Sequence, residues 1–210
     1  MTRPVILGLT GSIGMGKSAT AAMFRARAVP VHDADACVHE LYGPGGAAAP
    51  RIAAAFPGTL APDGSVDRGR LRAAVLDHPE RLRRLEALVH PLVREAETAF
   101  LAAQAGALLV VLDVPLLLET GGAARCDAVV VVTAPPEVQR ARVLARPGMT
   151  EETFAAILAK QMPDAEKRRR ADVLIETGRG FAHAQAQVDA LVAAVARGDL
   201  RRRAGPDRDA

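Results

Sequence analysis

Val5-Ile6-Leu7-Gly8-Leu9, followed at once by Gly11-Ser12-Ile13-Gly14-Met15-Gly16-Lys17-Ser18, is an apolar run leading into a complete G-x-x-x-x-G-K-[ST] loop. The order predicts a buried strand, a tight anion-binding turn and a helix. Glycines let the backbone wrap closely around a phosphate, so that its N–H groups and the helix N-terminus point at the anion. Lys17 adds a mobile positive charge, expected to face solvent and to be satisfied mainly by phosphate, and the Ser18 hydroxyl is placed to reach Mg²⁺. A glycine-rich turn that merely opens a helix would not require the lysine and the serine at these positions. The stretch therefore reads as a nucleoside triphosphate site within an α/β fold.

The rest of the chain is consistent with that beginning. Its 210 residues, half of them apolar, suit one compact domain able to bury a core. Aromatic residues are confined to five Phe and one Tyr, so Ala, Leu and Val must build that core. The net charge of +3 is mild, and the basic runs Arg168-Arg169-Arg170 and Arg201-Arg202-Arg203 carry no interleaved aromatics for base stacking. They read as a solvated face and a tail, with no nucleic-acid partner implied. Cys37 and Cys126 are far apart and outside any C-x-x-C spacing, and no signal peptide or long apolar span is visible. The expectation is a cytoplasmic protein with reduced thiols, no membrane partner, and a monomeric state.

A helix from Ser18 to Arg27 should pack back on the sheet, and a short strand, Val29 to His32, delivers the chain to Asp33-Ala34-Asp35. Either aspartate can cap the helix that carries Val38 and Leu41. Capping is assigned to Asp35, and Asp33, at the crevice end of the strand, to catalysis. Between Gly43 and Phe100 the pattern turns helical, with predicted segments Ala47–Phe56, Asp67–Leu76 capped by Asp67, and Pro79–Phe100, broken or kinked at His90-Pro91. In the last of these Leu82, Leu85, Leu88 and Val89 form the apolar face, and Arg81, Arg83 and Arg84 the wet one. His90, with Arg94 one turn on, is either aimed into a cleft or a boundary histidine.

Ala107 to Asp113 reads as a central parallel strand buried on both faces, and it presents Asp113 where Mg²⁺ would be held. A further strand, Asp127 to Thr133, precedes a helix from Glu137. Arg142 and Arg146 lie four apart ahead of Pro147-Gly148, and a second helix, Glu151 to Gln161, follows. This is the pattern of a lid whose arginines neutralise a transferring phosphoryl group; a wet helical hairpin with incidental arginines is the plainer reading. A last strand, Ala171 to Ile175, leads to a helix with Phe181, Ala184, Val188, Leu191, Val192 and Val195 at apolar spacing. From residue 198 to 210 a disordered tail is expected.

The stretches Gly8 to Ser18, His32-Asp33-Ala34-Asp35 with His39, Leu85 to Pro91 with Arg94, Asp113-Val114-Pro115-Leu116-Leu117 with Glu119, Arg142 and Arg146 with Gly148-Met149, and Gln161-Met162-Pro163 with Lys167 together resemble the dephospho-coenzyme A kinases. The resemblance spans Val5 to about Val195. It departs from the family pattern at Pro147, Ala156 and Glu176-Thr177-Gly178. It implies an α/β P-loop kinase, a parallel sheet flanked by helices, with an acceptor region at about 34–92 and a lid at about 136–168 within one domain, 1–197. It implies ATP and dephospho-coenzyme A as substrates, Mg²⁺ as cofactor, and γ-phosphoryl transfer to the ribose 3′-hydroxyl, the final step of coenzyme A synthesis. Catalysis would fall to Asp33, Lys17 and Arg142. ATP would be bound by Gly11, Ser12, Ile13, Gly14, Met15, Gly16, Lys17, Ser18, Ala19, Arg142 and Arg146. The acceptor would be bound by Asp33, Asp35, His39, His90, Arg94 and Leu117, and the metal by Ser18 and Asp113. The alternatives are another small-molecule or nucleoside kinase, or a GTP-dependent switch. The switch lacks an Asn-Lys-x-Asp guanine motif and an Asp-x-x-Gly turn after the third strand.

Overall fold

The computed structural model describes residues 3–200. Five strands, β1 (Val5–Thr10), β2 (Val31–Asp33), β3 (Leu109–Asp113), β4 (Ala128–Thr133) and β5 (Val173–Glu176), form a parallel sheet in the order β2-β3-β1-β4-β5. The three central strands read VILGLT, LVVLD and AVVVVT, and every residue in them is buried. Continuous apolar runs of this kind are stable only with both sheet faces covered. Aspartates finish the strand bases: Asp127 accepts from the Ile6 N–H at 2.8 Å and Asp172 from the Val129 N–H at 2.7 Å. The register places Leu9 opposite Asp113, so the end of β3 lies beside the start of the phosphate loop. Gly8 is required by close approach, since a Cβ there would stand 2.5 Å from Leu117 and 2.6 Å from the Cys126 sulfur.

The chain clusters into two compact units. Unit 1, Met1–His32 with Gln104–Ala210, holds the sheet core together with α1 (Lys17–Ala26), α6 (Pro136–Leu144), α7 (Glu151–Leu158), α8 (Asp164–Arg170) and α9 (Phe181–Arg197). Phe24, Val188 and Leu191 close one sheet face over Leu7, Leu9, Val111 and Val130. Each such side chain contributes about 1.5–3 kcal/mol on burial. Phe181 departs from its expected place in that core: it opens α9 and is 75% exposed. The expected tail begins with ordered residues. Gly198 terminates α9 with a left-handed φ of 77°, and Leu200 packs against the core, while 201–210 lie outside the described residues.

Unit 2, Asp33–Ala103, holds α2 (Ala34–Tyr42), α3 (Ala49–Ala55), α4 (Arg68–Val75) and α5 (Pro79–Ala103) around Ile52, Phe56, Leu71, Val89 and Leu92. Asp67 caps α4 through the Arg70 N–H, as its sequence position predicts. The helix is not broken at His90-Pro91, because α5 runs unbroken through Pro91 for 25 residues. The proline forfeits one backbone bond, and a long apolar face packed on the unit core holds the helix together. Leu82, expected on that face, is 44% exposed. Arg84 lies over the Phe56 ring at 5.8 Å. Neither cysteine forms a disulfide, and both are buried, one in each unit.

Candidate active site

The loop that follows β1 is built as its sequence predicts. Gly14 and Gly16 take φ of 78° and 94°, a left-handed backbone that glycine adopts without strain, and α1 starts at Lys17. Ser18 is exposed on the first turn of that helix, and Ala19 follows it.

Lys17 differs from expectation. Its Nζ donates to Asp113 Oδ1 at 2.7 Å, and its side chain is only 15% exposed. Asp113, 2% exposed at the end of β3, is too deeply buried to stand without a cation, and the lysine supplies one. The pair joins two predicted phosphate-site residues that are 96 positions apart. Ser18 and Asp113 both offer hard oxygen donors, the chemistry that Mg²⁺ prefers. Among the described residues there is no cluster of three His, Cys, Asp or Glu able to hold a metal. A cation that takes most of its ligands from phosphate and water fits such a donor set.

Arg142 lies in the last turn of α6 and is fastened at two points: Nη1 donates to Thr177 Oγ1 at 2.9 Å and Nη2 to the Thr177 carbonyl at 2.8 Å. Arg146 falls just beyond the helix and is exposed. Both line a cavity of about 230 Å³ together with Gly14, Gly16, Phe181 and Thr177. The two arginines line one cavity with the phosphate loop, although Arg146 lies past the end of α6 and does not share its face with Arg142. Arg140, on the same helix, pairs instead with Glu151 at the start of α7.

A buried pair supports the segment after α7. Lys167, fully buried, donates to Glu119 Oε1 at 2.6 Å, and the Met162 N–H donates to the same oxygen at 2.9 Å. Burial pushes the Glu119 carboxyl up, but the bonds from Lys167 and from the Met162 amide outweigh it and hold the group below its ordinary value.

In unit 2 the cap expected of Asp35 falls to its neighbour. Asp33 is the N-cap of α2, its Oδ1 accepting from the Asp35 and Ala36 N–H groups at 3.0 Å each. Asp35 is an exposed first-turn residue that gains from the helix dipole without capping. The cap belongs to Asp33 because the helix already begins at Ala34. His39 Nδ1 accepts from Arg68 Nη2 at 3.0 Å, and Arg68 stacks over Tyr42 at 5.6 Å. His90 and Arg94 are exposed one turn apart on α5.

Leu117, expected at the acceptor, has a fully buried side chain that packs against Gly8 and Gly122. Sequence reasoning left Gln139 and Thr177 unassigned. Each is 7% exposed and hydrogen-bonded to the phosphate loop. Their only local signal is a polar residue at an otherwise buried position.

Among the described residues no helix is long and apolar enough to cross a membrane. The family model for dephospho-CoA kinase matches residues 5–182. Dephospho-CoA kinases of Mesorhizobium japonicum and Novosphingobium aromaticivorans are 62% and 58% identical over 90% and 93% of this chain, covering 95% and 96% of their own. The crystal structure of TT1252 from Thermus thermophilus superposes with a TM-score of 0.80 at 37% identity, over 93% of this chain and 98% of that one. The dephospho-CoA kinase from Campylobacter jejuni shares the fold at a TM-score of 0.70 and 22% identity, over 92% and 98%. From β1 to the start of α9, the chain belongs to the dephospho-CoA kinase family.

Proposed function

We propose that the chain transfers the γ-phosphoryl group of ATP to the ribose 3′-hydroxyl of dephospho-coenzyme A, releasing ADP and coenzyme A. The observation that carries this reading is the strand-loop-helix phosphate site with Lys17 drawn onto Asp113, in a chain whose relatives at 62% and 58% identity are dephospho-CoA kinases. The loop from Gly11 to Ala19 cradles the triphosphate, with Lys17 moving from Asp113 to the phosphate oxygens. Mg²⁺ held by Ser18 and Asp113 would neutralise charge on the β- and γ-phosphates. Arg142 and Arg146 offset charge on the transferring group, which passes through a loose transition state and needs orientation more than covalent help.

Asp33 removes the proton from the acceptor hydroxyl as the new bond forms. Asp35, His39, His90 and Arg94 supply polar and cationic groups for an acceptor that carries its own phosphates. Residues at about 136–168 act as the lid and those at about 34–92 as the acceptor region. Cys37 and Cys126, outside any disulfide, fit the reducing cytoplasm, and we place the enzyme there as a monomer.

The test is ADP release by the purified chain with MgATP against dephospho-coenzyme A, adenosine and unrelated alcohols, with the product located by phosphorus–proton NMR. Turnover specific to dephospho-coenzyme A, with phosphate on the ribose 3′-oxygen, is expected. Equal turnover without that acceptor, or preference for a simple nucleoside, would overturn the reading.

A further inference from the structure

Two side chains from outside the phosphate-loop motif hold alternate carbonyls of the loop. Gln139 Nε2, on α6, donates to the Ile13 carbonyl at 2.7 Å. Thr177 Oγ1, just beyond β5, donates to the Met15 carbonyl at 2.7 Å. The amide of Ile13 is held as well, donating to Gln161 Oε1 at 3.0 Å. No peptide among the described residues is cis, and in a planar trans peptide the C=O of one residue and the N–H of the next point in opposite directions. Fixing the Ile13 and Met15 carbonyls on the protein side therefore turns the Gly14 and Gly16 N–H groups the other way.

These are the two glycines with left-handed φ, and they sit closely against their anchors. A Cβ on Gly14 would stand 3.0 Å from the Gln139 carbonyl, and one on Gly16 would stand 3.1 Å from Thr177 Oγ1. A hydroxyl has one proton to give. Thr177 Oγ1 is 2.7 Å from the Met15 carbonyl and 3.3 Å from that of Thr133, so the shorter contact takes the proton and a lone pair remains to accept Arg142 Nη1 at 2.9 Å. One buried threonine thus ties the lid arginine to the loop.

We propose that Gln139 and Thr177 are positioning residues that preset the loop amides for a polyphosphate, and that Thr177 also sets the place of Arg142. The inference rests on the loop being the triphosphate site. Water would otherwise hydrate the two carbonyls and let the glycine peptides rotate, so the anion would have to order them on binding. Preorganisation removes that cost from each binding event.

The experiment is isothermal titration of the full chain with ATP and with inorganic tripolyphosphate, for the wild type and for Thr177→Val, Thr177→Ser and Gln139→Met. Valine and methionine keep volume and remove the donor. Each should weaken both ligands on the order of 10-fold, the scale of one hydrogen bond, with serine restoring affinity to within about 2-fold. A purely structural role would lower the unfolding midpoint and leave the tripolyphosphate affinity of the folded variant unchanged, which would overturn the proposal. So would failure of serine to restore what valine loses. Should Thr177→Val not fold, Gln139→Met decides alone, because its anchor is on a different carbonyl. Wild-type chain that takes up neither ligand would remove the kinase reading as well, whereas wild-type uptake with unchanged variants removes only the positioning role.

Discussion

Lys17→Ala tests the site and the fold together. From sequence alone the lysine would face solvent and its loss would leave stability intact, but the structure changes that expectation. Nζ stands 2.7 Å from a carboxylate only 2% exposed, so truncation removes the cation from Asp113 and leaves a buried charge to be desolvated. Breaking a fully buried ion pair costs about 3–5 kcal/mol and a hydrogen bond to a charged group about 1.5–3. The lysine is 15% exposed, and water can partly replace it, so the lower range applies. We expect a loss of about 2 kcal/mol, or about 4–8 °C in Tm for a chain of this size. Phosphoryl transfer should fall below detection, since no other loop side chain brings charge to the β- and γ-phosphates. Urea unfolding of the ligand-free protein and acceptor-dependent ADP release are the two measurements. In the Lys17→Ala/Asp113→Asn double variant the stability losses should fall short of additive, because the second change removes the charge that the first stranded. Stability within about 0.5 kcal/mol of wild type, which is the ordinary range for surface substitutions, would show that the pair does not hold in solution. Wild-type turnover would remove the loop from the active site.

Arg142→Ala should lower turnover more than it weakens ATP binding, by about 10³-fold, because an arginine that meets transition-state charge acts chiefly on kcat. Arg146→Ala should follow in direction; normal turnover in both would make the α6–α7 hairpin structural. Asp33→Asn keeps an oxygen to accept from the Asp35 and Ala36 amides, so stability should change by well under about 1 kcal/mol while turnover falls on the order of 10²-fold or more. Turnover within a few-fold of wild type (about the scatter of neutral changes) would leave Asp33 a cap only. Glu119 titrates below its ordinary value when folded, so its contribution to stability is present above about pH 4.5 and lost as pH falls through the depressed folded value. Urea midpoints from pH 7 to pH 3 should therefore fall less steeply with acid in Glu119→Gln than in wild type, and identical slopes would remove the Lys167–Glu119 bond as the cause.

What the sequence disclosed of this fold follows from how far along the chain each cause acts. The strands and the phosphate loop were legible because their signals are contiguous: apolar runs such as Leu109–Leu112, and glycines, lysine and serine at fixed spacing, need no partner to be recognised. Placement of single side chains was less so. Helical spacing put Phe181 in the core, yet it is the first residue of α9 and lies where the helix has just begun to cover the sheet, so its ring is 75% exposed. Leu117 is named by a resemblance of segments, and segment likeness carries no sign that its side chain is fully buried beside Gly8. Local grounds predict a kink or a break at Pro91, and packing along the rest of α5 keeps the helix continuous through it.

The bonds that define the site were invisible for a different reason. Lys17 to Asp113 spans 96 positions, Gln139 to Ile13 spans 126, and Thr177 to Met15 spans 162. Periodicity carries no information about such pairs, because each depends on strand order and on the register between β1, β3 and β4. The strand order itself sends β3 and β4 to either side of β1, so the residues ending or following all three strands, Asp113, Thr133 and the loop from Gly11, must meet at one edge. A polar residue buried near that edge has to bond to the loop or remain unsatisfied, at a cost of about 1–3 kcal/mol. Topology therefore makes a phosphate loop recruit its supports from distant sequence, and Thr177 is where that recruitment can be tested.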